Sequence, residues 1–478
     1  MARQEVWRLS RDLSKVTDFH SALMAATAGG VWDDLGWLSM ADIQQMASVL
    51  HKALRQSGLS PSEPVLISIG GRAEDIAKIL AVIGAGGVAV PFHHKSHNNT
   101  RVYLESSTRA RFVLSTPNLK KRSPPELKKI SEVMPPKRLL LDGAAMITYT
   151  SGSTGKPKGV VLSRDRISAK FHTILESIDM ETEPFFVVPL QLQFSFGQWA
   201  TFLPLMREGV VHITEQFSAN WASQIIRDKP VTHFAAVPTM LRLMLEGERV
   251  ERHMHILTGG EAVNSKLSSA LFKRWPNASI HGIYGLTETG TCDIFRRDKI
   301  DLPSNDSLGY PARHIQVKTD PLTSELLINT PFAMLGYLDM PELTDETICG
   351  GWIRTGDIAE INEDGGVSLR GRIKDLINRG GNKVAPIEVE AVFADHPDIK
   401  AVLVTGVPDP KFGESIHMLV VPKNAKAPTK QALIDWAKDR TERFKLPDVV
   451  HYGEELPLGP TGKADRTALR HGILGQSA

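Results

Sequence analysis

Cysteine is almost missing from this sequence. Only Cys292 and Cys349 occur among 478 residues, which excludes a disulfide framework and gives no basis for a metal site of clustered thiolates. Charge imbalance is missing as well. The 56 basic residues face 54 acidic ones, for a formal net charge of +2, so bulk charge supports neither a nucleic-acid nor a membrane-surface partner. No stretch approaches the roughly 18 apolar residues of a membrane span. The opening "MARQEVWRLSRDLSKVTDFHS" has no apolar core of signal-peptide length. A cytoplasmic enzyme is the expectation. There are no internal repeats and no long low-complexity tract.

What is present is ordinary globular composition, 42% hydrophobic and 23% charged, in a chain too long for one compact core. From about residue 39 the pattern alternates helix and strand. In "SMADIQQMASVLHKALRQSG", Ser39 can cap a helix whose Ile43, Ala47, Leu50 and Leu54 share one face, and Gly58 can stop it. "PVLISIG" then reads as a buried strand, "RAEDIAKILAVIGAG" as a helix and "VAVPF" as a strand. Later strands are expected at "RFVLST", "AAMITYT", "PFFVVPL", "THFAAVP", "MHILTGG" and "SIHGIYG". This is an α/β pattern with helices packed on largely parallel sheets. Past residue 370 the texture changes. "APIEVEAVFADHP" reads as a helix, "KAVLVTGVPD" and "IHMLVVPK" as strands, and "KQALIDWAKDRTERF" as an amphipathic helix. A separate small α+β domain is expected, with its boundary in "LRGRIKDLINRGGNKV".

One loop points to chemistry. In "TYTSGSTGKPKGVVLS", Thr150 to Gly159 are all Thr, Ser, Gly, Pro or Lys. The Walker pattern fails, because Pro157 stands five residues after Gly152 and Gly159 follows Lys158. The Rossmann pattern fails too, because Gly152 and Gly155 are three apart without a glycine at 154. The chemistry still suits a polyphosphate. Thr150, Ser151, Ser153 and Thr154 offer hydroxyls, the glycines allow close backbone approach, and Lys156 and Lys158 add positive charge. The loop follows an apolar strand, where open α/β sheets place ligands.

"YTSGSTGKPKGV" resembles the signature of the acyl-activating, adenylate-forming superfamily, which includes acyl- and aryl-CoA ligases, luciferases and peptide-synthetase adenylation domains. Four further motifs follow in the order of that family: "YGLTETG" (284–290), "GWIRTGD" (351–357), "GRIKDLINRGGNKVAPIEVE" (371–390) and "PTGKADRTALR" (460–470). The resemblance covers nearly the whole chain from about residue 30. It implies a large N-terminal domain over residues 1–372, of mainly parallel sheets flanked by helices. A small mobile α+β domain over residues 373–478 would carry the catalytic lysine.

The resemblance also implies a two-step reaction. A carboxylate attacks the α-phosphorus of ATP, pyrophosphate leaves, and a nucleophile then displaces AMP. ATP and Mg²⁺ would be required, with CoA as co-substrate. By the same resemblance Thr150, Ser151, Gly152, Ser153, Thr154, Gly155, Lys156 and Lys158 close over the β- and γ-phosphates. Thr287 contacts the α-phosphate and Glu288 binds the metal. Gly282, Ile283, Tyr284 and Gly285, with Gly260 and Glu261, run beside the nucleotide, and Gly259 beside the acyl group. Asp357 takes the ribose hydroxyls and Arg372 the ribose or phosphate. Lys463 bridges the carboxylate and the α-phosphate. Lys374 is the pivot between the half-reactions, and Gly380 and Gly381 line the thiol tunnel.

Three positions depart from common family patterns. Phe194 stands where many relatives carry histidine, and Ser195 follows it where amino-acid-activating relatives carry aspartate. An α-amino acid substrate is therefore not expected. Ile283 replaces a frequent glycine and narrows the acyl pocket. The expected substrate is a small-to-medium, largely apolar carboxylic acid, and the expected acceptor is CoA. An amine or a carrier-protein thiol is the alternative acceptor, and an inactive binding relative is the remote alternative. Neither nucleic acid nor a membrane span is expected.

Overall fold

Ser39 starts the first long helix. Its side chain accepts from Asp42 N–H while Asp42 reaches back to Ser39, and the helix runs Met40–Gln56 with Ile43, Ala47, Leu50 and Leu54 buried. Reciprocal satisfaction of two end groups is why this start is sharp. Here and below, the computed structural model describes residues 13–150, 157–180, 183–261, 263–300, 307–424, 427–459 and 464–476.

Packing divides the chain into two compact units. The large one is Met1–Val317 with Ile328–Arg354, and the small one is Lys318–Leu327 with Thr355–Ala478.

Among the described residues, two large sheets lie within the large unit. One has seven strands, and at its centre Pro64–Ile69 pairs in parallel with Val88–His93 and Phe112–Ser115. Pro64–Ile69 has no fully exposed position, as expected of a parallel strand covered on both faces. The other sheet has nine strands. Its parallel centre runs through Val210–Ile213, Phe185–Val188, His233–Ala235, His255–Gly259 and Ser279–Tyr284. Helices such as Ala73–Gly84 and Ser195–Met206 cover these faces and are almost wholly buried. The fold is mixed α/β, as the alternating pattern implied.

In the small unit, Ile399–Asp409 and Gly413–Pro422 form a long antiparallel pair. Helices Pro386–Ala394 and Lys430–Ala437 pack on it around Val389, Phe393, Met418 and Leu433. The helix expected across "KQALIDWAKDRTERF" stops at Ala437, and a separate 3-10 turn follows at Arg443–Lys445. Thr441 N–H turns back to the carbonyl of Ala437 there, which closes the helix end. Among the described residues no helix is long and apolar enough to cross a membrane.

Candidate active site

The phosphate-type loop connects two paired strands. Ala144–Thr150 and Lys158–Ser163 run antiparallel, with Thr150 opposite Lys158. Ser151, Gly152, Ser153, Thr154, Gly155 and Lys156 lie outside the described residues, and so does Lys463. The two strands leave Thr150 and Lys158 half-buried at the mouth of the loop. Lys158 Nζ sits 5.2 Å above the centre of the Tyr337 ring.

A tight turn faces this hairpin. Ser279–Tyr284 lies parallel to His255–Gly259, with Gly282 beside Thr258 and Ile283 beside Gly259. A Cβ on Gly259 would stand 2.5 Å from the Ile283 carbonyl oxygen, so the close strand approach demands glycine there. Beyond Tyr284 the chain folds back through Gly285 into a single 3-10 turn, Thr287–Thr289. Gly290, Thr291 and Cys292 then adopt φ of 80°, 67° and 53°. Left-handed backbone at two successive non-glycine residues is strained. Burial keeps the Cys292 thiol protonated, with its pKa pushed up to about 12.

A buried ion pair braces that turn. The Thr289 hydroxyl accepts from Leu286 N–H at 3.1 Å and donates to the Asp293 carboxylate. Asp293 Oδ1 lies 2.9 Å from Lys170 Nζ, with side-chain exposures of 0% and 1%. Burial pushes the Asp293 carboxyl above its ordinary range, while Lys170 and Thr289 pull it back. Glu288 is held from the other side. Met334 N–H donates to its backbone carbonyl at 2.8 Å, and the Tyr337 hydroxyl donates to its Oε1 at 2.8 Å.

The helix Ser195–Met206 completes the arrangement. Ser195 Oγ donates to Thr287 Oγ1 over 3.4 Å. Three residues on, Gln198 Nε2 reaches Thr148 Oγ1 at 3.4 Å and the Leu192 carbonyl at 3.0 Å. Contacts therefore run in a ring: from Thr148 through Gln198 and Ser195 to the Thr287–Glu288 turn, then through Tyr337 to Lys158 on the paired strand. Phe194 is the residue before the helix, with extended backbone. A cavity of about 30 Å³ lies here, lined by Lys170, Ser195, Gln198, Thr291 and Phe332 among others. It has room for one or two waters. It takes in Ser195 but not Phe194, Gly259 or Ile283. Gly260 is left-handed at φ 89°, and Glu261 pairs with Arg242 at 3.1 Å.

In the small unit, Asp357 and Arg372 stand opposite each other on antiparallel strands. Arg372 Nε meets Asp357 Oδ1 at 2.7 Å, with Asp357 3% and Arg372 53% exposed. Lys374 lies in the short 3-10 turn Ile373–Asp375. Gly380 and Gly381, at φ 57° and 85°, form the two-residue turn joining Ile377–Arg379 to Asn382–Val384. Such hairpins need positive φ at both central positions. That is a conformational reason for the glycine pair, alongside the room it leaves.

Sequence reasoning did not single out Tyr337, Lys170, Asp293 or Gln198. "LGYL" and "SAKF" are short and common in texture, and the contacts between these residues span 49 to 123 positions. Among the described residues no group of three or more His, Cys, Asp or Glu could hold a metal. One carboxylate, Glu288, does fit Mg²⁺, which usually takes one or two carboxylates and completes its octahedron with phosphates and water.

This fold and this site define an adenylate-forming enzyme. The model of the AMP-binding enzyme family matches residues 20–338, and that of the AMP-binding enzyme C-terminal domain matches residues 388–463. The chain belongs to this family and is an AMP-forming ligase. It is 28% identical to the fatty acid–[acyl-carrier-protein] ligase ScoC of Streptomyces coeruleorubidus, over 98% of this chain and 97% of that protein. It is 27% identical to a feruloyl-CoA synthase of an Amycolatopsis species, over 89% and 92%. Among solved structures, ATP-bound MatB from Rhodopseudomonas palustris superposes with a TM-score of 0.85 at 21% identity, covering 96% of this chain and 99% of that one. O-succinylbenzoate CoA synthetase from Bacillus subtilis, in complex with ATP and magnesium ion, gives 0.81 at 22%, over 95% and 99%.

Proposed function

We propose that the protein activates a small-to-medium, largely apolar carboxylic acid as its acyl-adenylate, with release of pyrophosphate, and passes the acyl group to the thiol of CoA. The observation that carries this reading is the ring of contacts joining the Thr148–Lys158 hairpin, the Ser195 helix end and the Thr287–Glu288 turn. It gathers phosphate-binding, metal-binding and acyl-binding candidates from three separate stretches of chain.

Each group has a role its chemistry suits. Thr150 to Lys158 bind the β- and γ-phosphates. Thr287 donates to the α-phosphate, and its contact with Ser195 supports a carboxylate site beside it. Glu288 is the protein ligand for Mg²⁺, which supplies charge neutralisation at the phosphates when bound. Tyr284, Gly260 and Glu261 run along the nucleotide, and Gly259, Phe194 and Ile283 bound the acyl group. Asp357 accepts from the ribose hydroxyls and Arg372 is the exposed cation beside it. Lys463 is the mobile point charge that draws the carboxylate and the α-phosphate together. Lys374 is the pivot, so that residues 1–372 and 373–478 move as separate bodies, and Gly380 and Gly381 leave room for pantetheine.

A second reading changes only the acceptor. The likeness to an acyl-carrier-protein ligase over nearly the whole chain favours a carrier-protein thiol. An acid panel with ATP and Mg²⁺, scored by pyrophosphate release, tests the adenylation. Repeating the hits with CoA, carrier protein or amine chooses the acceptor. Lys463→Ala should slow adenylation about 10²-fold or more while sparing thioester formation from supplied acyl-adenylate, and Lys374→Pro should do the reverse. No release with any acid, or equal loss in both half-reactions for Lys463→Ala, refutes the assignment.

A further inference from the structure

Tyr337 has a place in the ring that no reading of the sequence gives it. It lies on the two-residue strand Gly336–Tyr337, which pairs with the strand leaving the phosphate-type loop, Tyr337 opposite Val160. Its backbone is pinned. The Tyr337 N–H donates to Thr344 Oγ1 at 2.9 Å, and the Leu338 N–H donates to the Gly159 carbonyl at 2.8 Å. The side chain is 4% exposed. Its hydroxyl donates to Glu288 Oε1 at 2.8 Å, and Lys158 Nζ stands over its ring. Among the described residues no hydrogen bond to the second Glu288 oxygen is present.

We propose that Tyr337 is a positioning residue for the metal–nucleotide: its hydroxyl fixes one oxygen of Glu288 so that the other is presented, while its ring ties that carboxylate to Lys158 at the mouth of the phosphate loop. The inference rests on the reading of Glu288 as the metal ligand. Three physical points support it. A hydrogen bond from a rigid partner fixes the rotation of a carboxylate, which is otherwise broad. A neutral donor orients the carboxylate without cancelling the charge a cation needs, as an arginine or lysine in the same place would. A cation over the ring face is also attracted to it, which holds Lys158 within reach of the same site. Partners that orient a metal ligand carry about 10- to 100-fold in metal affinity.

The test is binding of Mn²⁺·ATP to the whole protein without any acid, read by the loss of the free Mn²⁺ electron-paramagnetic signal. Tyr337→Phe keeps the ring and removes the hydroxyl. It should weaken Mn²⁺·ATP binding about 10-fold or more. In steady state it should raise the Mg²⁺ requirement for pyrophosphate release, with kcat at saturating Mg²⁺ within about 3-fold of the parent. Glu288→Gln sets the reference, and in that background Tyr337→Phe should add nothing, because the two act through one oxygen. Unchanged binding by Tyr337→Phe overturns the inference. So does a full further loss in the Glu288→Gln background, which is also what a misfolded Tyr337→Phe would give. If the parent protein does not bind Mn²⁺·ATP, the functional reading itself falls and takes this inference with it.

Discussion

The two compact units each enclose a cation–carboxylate pair, and the pairs differ in how far they are closed. In the large unit Lys170 and Asp293 meet at 2.9 Å with exposures of 1% and 0%. In the small unit Arg466 and Glu390 meet at 2.6 Å with exposures of 26% and 18%. The closed pair cannot exchange either partner for water, so it behaves as a fixed joint, and what it joins is the turn that carries Thr287 and Glu288. The open pair keeps some freedom. Burial outweighs Arg466 and the Val404 N–H and pushes the Glu390 carboxyl up to about 7. Burial raises the carboxyl in both pairs. The pairs differ in that one is sealed from solvent and braces a turn, while the other stays partly exposed.

The sharpest way to break this comparison is to remove the cation of the closed pair. Lys170→Met should destabilise the large unit by about 3–5 kcal/mol, because it leaves Asp293 buried without its partner. Lys170→Met with Asp293→Leu should recover most of that loss in a urea melt. The double variant should still adenylate poorly, since Thr289 loses its acceptor. Full activity in the double variant would show that the pair serves stability alone.

Glu390 and the histidines of the nine-stranded sheet should next respond to pH in opposite senses. Glu390 binds its proton more tightly when folded, about 7 against 4.5. At Glu390 the native state therefore holds more proton than the unfolded chain, and this group's contribution to stability falls as pH rises from about 4.5 to 7, by on the order of 3 kcal/mol. In the large unit, burial and neighbouring imidazoles lower His233 and His281 to about 3. Both belong to a ladder in which His233 stacks on His255 at 4.8 Å and His255 Nδ1 lies 2.9 Å from His281 Nε2. Their stabilising effect is complete above about 6.5 and is lost as pH falls toward 3. Acidification from pH 7 to 5 should raise hydrogen-exchange protection, taken relative to the intrinsic rate at each pH, in peptides around Glu390 and lower it in those of the nine-stranded sheet. Glu390→Gln should flatten the first response only. A common direction for both units would remove the contrast.

The smallest effects concern backbone strain. Gly381 is left-handed, and a Cβ there would meet nothing within 4 Å. Gly381→Ala should therefore cost only its backbone conformation, about 1 kcal/mol. Thr291 holds a similar φ of 67° with a side chain, so Thr291→Gly should raise the melting temperature slightly or leave it unchanged. A clear drop would mean that the Thr291 side chain contributes more than its backbone conformation costs.

Much of this was legible in the chain itself. The capping box at Ser39, the alternation of apolar strands with helices, and the five ordered motifs depend on residues close in sequence. Short-range hydrogen bonds and side-chain periodicity are enough to specify such features. The helix ends at Ala437 rather than continuing to Phe444, because "AKDRTERF" has helical composition but the chain turns on itself at Thr441. The partners of the motif residues were not legible. Nothing near Glu288 announces Tyr337, 49 positions away, and nothing near Thr289 and Asp293 announces Lys170, 123 positions before Asp293.

Contiguous motifs with fixed spacing are enough to carry the family, the α/β class and the candidate site residues. Which of those residues touch depends on how distant segments pack. Ser195 reaches Thr287, Tyr337 reaches Glu288, and Lys158 covers Tyr337, and each contact needs two chain segments brought together by burial of the strands and helices between them. Burial also decides charge states, since the same carboxylate is an ordinary acid in water and an altered one once the protein removes its solvent.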